Sequence, residues 1–220
     1  GFTRDGREYV VLLATGVLPA APWCNVIANA RLGTVVTESG GAYTWHGNAH
    51  EFRLTPWHND PVTDASGEAL YVRDEETGAL WSPTPLPVCG AGQYVSRHGF
   101  GYSVFEHTED GIETELWVYV AADAPVKFSV LRLRNTSGRP RRLTVTGYVE
   151  WVLGELQAKS RMHVVTELDP KTGALMARNS YGKEFAGHVA FFAVSQTAQS
   201  VTADREEFLG RNHSSSHPAG

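Results

Sequence analysis

Residues 48–61 read Asn-Ala-His-Glu-Phe-Arg-Leu-Thr-Pro-Trp-His-Asn-Asp-Pro. Within one loop's length this stretch holds the carboxylates of Glu51 and Asp60, the guanidinium of Arg53, the amide of Asn59 and the indole of Trp57. A loop that only joins strands has no need of that set. It is the set that grips a sugar: the C–H face of a pyranose stacks on an aromatic ring, and its hydroxyls pair with carboxylate, amide and guanidinium groups. Trp23, Tyr43 and Trp45 lie just upstream, so the first third of the chain reads as a saccharide-facing surface. Its expected contact residues are Trp45, Glu51, Arg53, Trp57, Asn59 and Asp60. A competing reading gives the same residues a supporting role, with Arg53 paired to Glu51 or Asp60 and Trp57 as a hydrophobic plug. Glu51 and Asp60 could in principle serve as a glycoside acid–base pair. On a loop, with Arg53 between them, they read as binding groups rather than a tuned acid and base.

Other chemistries find little support. His46 and His50 are four apart with His58 beyond, but that spacing aligns two imidazoles only on a helix, and Gly47 opposes a helix here. No metal or cofactor is expected. Glycine patterns for phosphate or dinucleotide binding are missing from the sequence. A net charge of −5 argues against a nucleic-acid platform. The one basic cluster, Arg132, Arg134, Arg139, Arg141 and Arg142, straddles a turn and reads as a solvated hairpin end. Cys24 and Cys89 are compatible with a single disulfide or with a reducing compartment, the latter fitting better. No apolar run reaches ~18 residues, so no membrane contact is expected of this segment. Asn135-Thr136-Ser137 and Asn212-His213-Ser214 match the glycosylation acceptor pattern, the first being better explained as turn chemistry.

The elements that must position the loop are strands. Runs 7–14, 32–38 and 69–73 are β-rich and end on turn residues. Runs 102–108 and 112–120 flank Glu109-Asp110-Gly111, and Ile112, Thr114, Leu116, Val118 and Val120 alternate with Glu113, Glu115, Trp117 and Tyr119. Runs 126–135 and 141–153 flank a turn, with Leu143, Val145, Gly147, Val149 and Trp151 expected on a buried face. Runs 162–168, 174–178 and 188–195 complete the series, and only 154–160 and 203–209 could be helical. At least ten strands with almost no helix predict an all-β, antiparallel two-sheet sandwich. A chain of 220 residues can bury roughly 70% of its unfolded surface, enough for one self-sufficient domain. The expected domain runs over 1–210, with 82–92 a surface loop and 211–220 a frayed polar tail. Opening at Gly1-Phe2-Thr3 without Met, the chain reads as a piece of something longer.

Several blocks resemble one family. They are Pro22-Trp23-Cys24-Asn25-Val26-Ile27-Ala28-Asn29, Leu54-Thr55-Pro56-Trp57-His58-Asn59-Asp60-Pro61 and Gly67-Glu68-Ala69-Leu70-Tyr71-Val72-Arg73-Asp74. Further along come Trp81-Ser82-Pro83-Thr84-Pro85-Leu86-Pro87, Arg97-His98-Gly99-Phe100-Gly101-Tyr102 and Tyr148-Val149-Glu150-Trp151-Val152-Leu153-Gly154. A last block is Thr202-Ala203-Asp204-Arg205-Glu206-Glu207-Phe208-Leu209-Gly210-Arg211-Asn212. In order, and over nearly the whole chain, they are similar to the amino-terminal β-sandwich domain of glycoside hydrolase family 94. The form is that of cyclic β-1,2-glucan synthases, with cellobiose and chitobiose phosphorylases as more distant relatives.

The resemblance implies a supersandwich like that of galactose mutarotase, followed by linker helices and an (α/α)6 barrel. It implies inverting phosphorolysis in which a barrel Asp donates the proton and phosphate attacks, so this chain carries no catalytic residue. Implied partners are a β-linked glucan or gluco-oligosaccharide, the downstream barrel, and a second subunit in a homodimer. The implied location is cytoplasmic, in a parent that could be anchored in the bacterial inner membrane. The expected role is therefore a non-catalytic module that shapes a neighbouring β-glucoside site. The alternatives are a free-standing carbohydrate-binding module and, more remotely, a mutarotase-like epimerase, for which no His and Glu couple stands out.

Overall fold

A computed structural model describes residues 1–60, 62–181, 184–212 and 214–219. Among these residues, fourteen strands form four antiparallel sheets. The largest orders β1 (Glu8–Leu13), β7 (Tyr94–Gly99), β8 (Tyr102–Glu109), β9 (Ile112–Val120) and β10 (Lys127–Asn135) side by side. Facing it are β2 (Cys24–Ala28), β3 (Leu32–Thr37) and β4 (Ala42–His46), and the trio β11 (Leu143–Val149), β5 (Glu68–Asp74) and β6 (Leu80–Trp81). A third trio comprises β12 (Val164–Leu168), β13 (Leu175–Asn179) and β14 (Val189–Phe192). Two short helices, α1 (Gln157–Ser160) and α2 (Arg205–Leu209), fall inside the stretches expected to allow them. No helix of the described residues is long and apolar enough to cross a membrane.

The period-two pattern of β9 does what it predicts. Ile112, Thr114, Leu116 and Val118 are buried while the residues between them are half-buried. Leu116 and Val118 meet Phe105 of β8 and pack on Ile27, Val36 and Ala42 from the opposite sheet. Beside this core, Val72, Trp81 and Ile112 form a second cluster that recruits Leu131 and Leu143. A third joins Phe52, Leu153 and Ala177. The β8–β9 connection is the tight turn the sequence announces, with Asp110 and Gly111 at φ of 43° and 75°.

Five expectations need correction. β10 and β11 are not a hairpin: β10 pairs with β9 and β11 with β5, so residues 136–142 carry the chain between sheets. Arg141 in that crossover is buried against Asp74 and Asp110, not solvated, and the other three arginines with acidic partners, Arg132, Arg134 and Arg139, meet Glu115, Glu113 and Glu76. Val145 is 46% exposed, because β11 is the edge strand of its sheet; Leu143, Val149 and Trp151 are half-buried. The 82–92 loop is anchored inward, with Ser82, Pro83, Thr84 and Pro85 buried. The tail is tied down too, since Tyr71 donates its hydroxyl to the Ser215 carbonyl at 2.8 Å and Ala219 N–H reaches the Phe208 carbonyl at 3.0 Å. Cys24 and Cys89 are free and exposed. Asn135 accepts from the Ser137 N–H and hydroxyl, as turn chemistry requires. Pro61, at the end of the sugar-type loop, and His213, in the second acceptor motif, lie outside the described residues.

Candidate functional site

The loop at 48–61 is stiffer than its sequence suggests, because its middle behaves as a strand. Leu54 N–H donates to the Thr44 carbonyl at 2.8 Å and His46 N–H to the Phe52 carbonyl at 3.1 Å. On the other side Arg53 and Gly154 exchange N–H···O bonds of 3.1 and 3.0 Å. Residues 52–54 are thus wedged between β4 and 152–154. Period-two geometry then sends Phe52 and Leu54 inward and Arg53 outward. Arg53 sits across an antiparallel bridge from Trp45, so both side chains emerge on one face.

Trp45 owes its position to a glycine. Gly33 is its direct cross-strand partner, and a Cβ there would lie 2.2 Å from the indole Cζ2. Only a bare backbone lets the indole lie on β3. Tyr43, two residues back on the same face, has its ring centroid 5.2 Å from Trp45 and 4.8 Å from Trp57. Three rings therefore form one ledge, with Tyr43 buried at its centre and Trp45 and Trp57 half-buried on its flanks. Burial pushes the Tyr43 phenol up, partly offset by the nearby Arg53 charge. The Arg53 guanidinium donates to the Ala49 carbonyl at 3.2 Å and the Glu155 carbonyl at 3.4 Å. It pairs with neither Glu51 nor Asp60, so the bracing role expected for it is filled by backbone oxygens instead.

The other expected residues lie around this ledge with different degrees of freedom. Glu51 is exposed and 2.9 Å from His50 Nδ1, and both backbone N–H groups are held by the Asn48 side chain. Asn59 is exposed at a left-handed φ of 51°. Asp60 accepts from Val62 N–H at 2.9 Å and from the Thr63 hydroxyl at 2.7 Å, which together hold its carboxyl below the usual range. Much of its accepting capacity is spent on its own turn. Trp23 leaves the group, stacking on Tyr9 with centroids 4.9 Å apart. Glu155, which the sequence did not flag, joins it; Lys159 at 3.0 Å lowers its pKa, with His50 and Arg53 adding to the effect. Its arrival depends on the Arg53–Gly154 bridge, which no local pattern reveals.

Beneath the ledge the inward face of β4 is pinned by charge. Glu68 accepts the hydroxyls of Thr44 at 2.7 Å and Thr55 at 2.6 Å, and its other oxygen meets Lys127 Nζ at 2.5 Å. Burial pushes the Glu68 carboxyl up, but Lys127 and the two hydroxyls outweigh it and the net direction is down. Among the described residues no group of three metal-type side chains converges. The described residues include the His–Glu couples His50–Glu51 on the surface and His107–Glu109 at 3.1 Å. His107 is fully buried under the Tyr94 ring, centroids 3.8 Å apart, and out of reach of any substrate. The ledge can therefore stack and hydrogen-bond a polyhydroxylated ring.

An antiparallel supersandwich with these blocks in this order defines a class: the chain belongs to the glycosyl hydrolase 94 supersandwich domains, whose family model matches residues 7–220. It is 41% identical over 212 residues to the cyclic beta-(1,2)-glucan synthase NdvB of Rhizobium meliloti (strain 1021), covering 96% of this chain and 8% of that protein. It is 27% identical over 226 residues to the N,N'-diacetylchitobiose phosphorylase of Vibrio furnissii, covering 99% and 28% respectively. Solabiose phosphorylase of Paenibacillus borealis shares 32% identity over 155 residues, 69% of this chain and 20% of that one. The chain thus spans under a third of the length of each of these curated relatives.

Proposed function

We propose that this chain is the non-catalytic supersandwich module of a β-glucan-active enzyme of the family, and that it contributes the 45–60 ledge to β-glucoside binding. In this reading Trp45 and Trp57 stack on glucosyl rings, and Arg53, Glu51, Asn59 and Asp60 hold their hydroxyls. Residues 1–210 form the module with 211–220 held against it, and the reading places a catalytic (α/α)6 barrel beside it, with a homodimer as the assembly and the cytoplasm as the compartment. The proton donor belongs to the barrel, so the chain alone releases no glucose 1-phosphate from β-linked disaccharides. The observation that carries this reading is the cluster of Trp45 and Trp57 around buried Tyr43, with Arg53 fixed beside it by backbone on both sides. A surface held that firmly, with the half-buried rings of Trp45 and Trp57 on it, supports a ligand role beyond strand connection.

An open ledge buries only part of a sugar, so the affinity expected for β-1,2-gluco-oligosaccharides is on the order of millimolar. Titration followed by tryptophan fluorescence measures it. Trp57→Ala and Arg53→Ala should each weaken binding by about tenfold or more, the loss of one stacking face or one charge-assisted bond. If both variants leave binding intact and only lower thermal stability, the ledge is a strut and the reading fails.

A further inference from the structure

The pose of Arg53 depends on a loop about a hundred residues further along the chain. Its guanidinium donates to the Glu155 carbonyl, and its backbone exchanges bonds with Gly154, so both contacts come from the apex of residues 150–157. One end of that loop is firmly fixed. Glu150 N–H donates to the Gly67 carbonyl at 2.7 Å, and Val152 N–H to the Leu54 carbonyl at 2.8 Å. Leu153 is buried in the cluster with Phe52, and its carbonyl accepts the Asn179 amide at 3.0 Å. There the chain reverses: Leu153 has a φ of 48°, a left-handed conformation that an L side chain adopts only under constraint. The far end, where α1 begins, is brought back by side chains. The Gln157 amide donates to the Glu150 carboxylate, seven residues behind it. The same carboxylate oxygen meets Arg205 Nε at 3.5 Å, and the other accepts the Tyr148 hydroxyl at 3.4 Å. Arg205 is 61% exposed, so that ion pair is screened by water and holds little, which leaves the Gln157 bond as the clasp.

Given the saccharide role proposed for the ledge, on which this rests, we propose that Glu150 is its positioning residue. The carboxylate clasps Gln157 and thereby keeps Gly154 and Glu155 against Arg53, without touching sugar itself. The physical step is short. Leu153 and the residues before it stay fixed when the clasp opens, but a loop that turns on a left-handed leucine has a route to relax. Its 155–157 end swings away and carries the Glu155 carbonyl off the guanidinium. Of its two backbone acceptors Arg53 then keeps one, the Ala49 carbonyl. A side chain released in this way must be ordered again when a ligand arrives, and that ordering weakens binding.

The experiment follows amide hydrogen exchange by NMR on the 220-residue chain, beside titration with β-1,2-gluco-oligosaccharides. Glu150→Ala should speed exchange at Arg53 and Gly154 about tenfold and weaken the oligosaccharide about fivefold, with Leu116 in β9 at the parent rate. Gln157→Leu should do the same from the other end of the clasp, and carries the test if Glu150→Ala does not fold. Glu150→Gln keeps an oxygen for the Gln157 amide, so it should stay within about twofold of the parent in both readouts. Arg205→Ala should stay there too, its contact being screened. A glutamate that only stabilised the fold would raise exchange at Leu116 and Arg53 together, and that result overturns the proposal. So does unchanged exchange at Arg53, a Glu150→Gln as damaged as Glu150→Ala, or faster exchange with undiminished affinity. If the parent itself binds no oligosaccharide, the saccharide reading fails, and the exchange rates alone decide whether Glu150 holds Arg53.

Discussion

Lys127→Met tests whether the charge pair under β4 holds the ledge in place. At 2.5 Å and an effective dielectric of ~20, the Lys127–Glu68 attraction is roughly 7 kcal/mol. Taking both charges out of water consumes most of that, so the pair is worth little against a well-packed apolar pair. Removing one partner is another matter. Glu68 would keep the hydroxyls of Thr44 and Thr55 but lose its counter-ion, and a charge stranded in this way costs about 3–5 kcal/mol. For a chain of this size that is a fall in melting temperature of about 6–20 °C. Lys127→Met/Glu68→Gln should recover most of the loss, since Gln still accepts the two hydroxyls; a coupling of about 2–3 kcal/mol is expected in the double-mutant cycle. The sign of the pH dependence is a second check. In the parent, Glu68 has a depressed pKa, so its stabilisation is present above the unfolded value of ~4.3 and lost as pH falls through the folded one. In Lys127→Met, burial is unopposed and the folded pKa rises above ~4.3, so the variant regains stability as pH falls from 7 toward 4. Urea denaturation at pH 7, 5.5 and 4 reads both quantities. A penalty below about 1 kcal/mol at pH 7, or one that does not shrink toward pH 4, would refute a stranded buried charge.

Gly33→Ala touches no sugar in the proposed site, yet its Cβ would stand 2.2 Å from the Trp45 ring. It should tilt the indole, cost about 1–3 kcal/mol and weaken oligosaccharide binding, seen as a shifted tryptophan emission; an unchanged spectrum and affinity would show that Trp45 is not held this way. Asp74 is brought down to about 2, first by the Glu76 N–H and then, against burial, by Arg141. Its contribution is therefore full above the unfolded value of ~3.9 and lost as pH falls through about 2. Asp74→Asn should lower the urea midpoint at pH 7 and flatten its decline between pH 4 and 2, and parallel curves for variant and parent would contradict that account.

The fold was legible wherever a strand has one apolar face and a glycine turn beside it. β8 and β9 satisfy both conditions around Glu109-Asp110-Gly111, and their limits in the structure nearly coincide with the expected ones. β7 was not legible, because beyond Tyr94 its inward positions are polar: Ser96 is buried with its hydroxyl on the Glu38 carbonyl at 2.7 Å, and His98 bonds Ser103 at 2.9 Å. Hydrogen bonds replace apolar burial there and erase the period of two. β4 was missed for a similar reason, with Thr44 and His46 facing inward. The β10–β11 crossover failed differently: Pro140 and Gly138 mark a turn, but whether a turn joins partners or changes sheets depends on Arg141 finding Asp74 sixty-seven residues away. At the site, residue types pointed to Trp45, Trp57 and Arg53, with Tyr43 on the same surface, whereas Glu155 joins it only through pairing across chain-distant segments.

The arrangement of that surface decides how its roles can be separated. β4 and residues 52–54 present two faces with a strict alternation, and the backbone bonds between Thr44, Leu54 and Val152 leave little room for slippage. Substitutions at Trp45 or Arg53 therefore alter the outward ledge with small effects on the core, while substitutions at His46 or Phe52 alter the aromatic packing behind it. A one-residue slip would exchange the two sets, turning Arg53 into an apolar wall and exposing Phe52, which is 4% exposed and stacked on Phe185 at 4.3 Å. Register is thus enforced by the stacked rings and the third core cluster rather than by the polar loop residues themselves. The chemistry-bearing side chains of this loop are free to vary only because Phe52 and Leu54 are not, and that asymmetry is what lets a connecting segment serve as a binding surface.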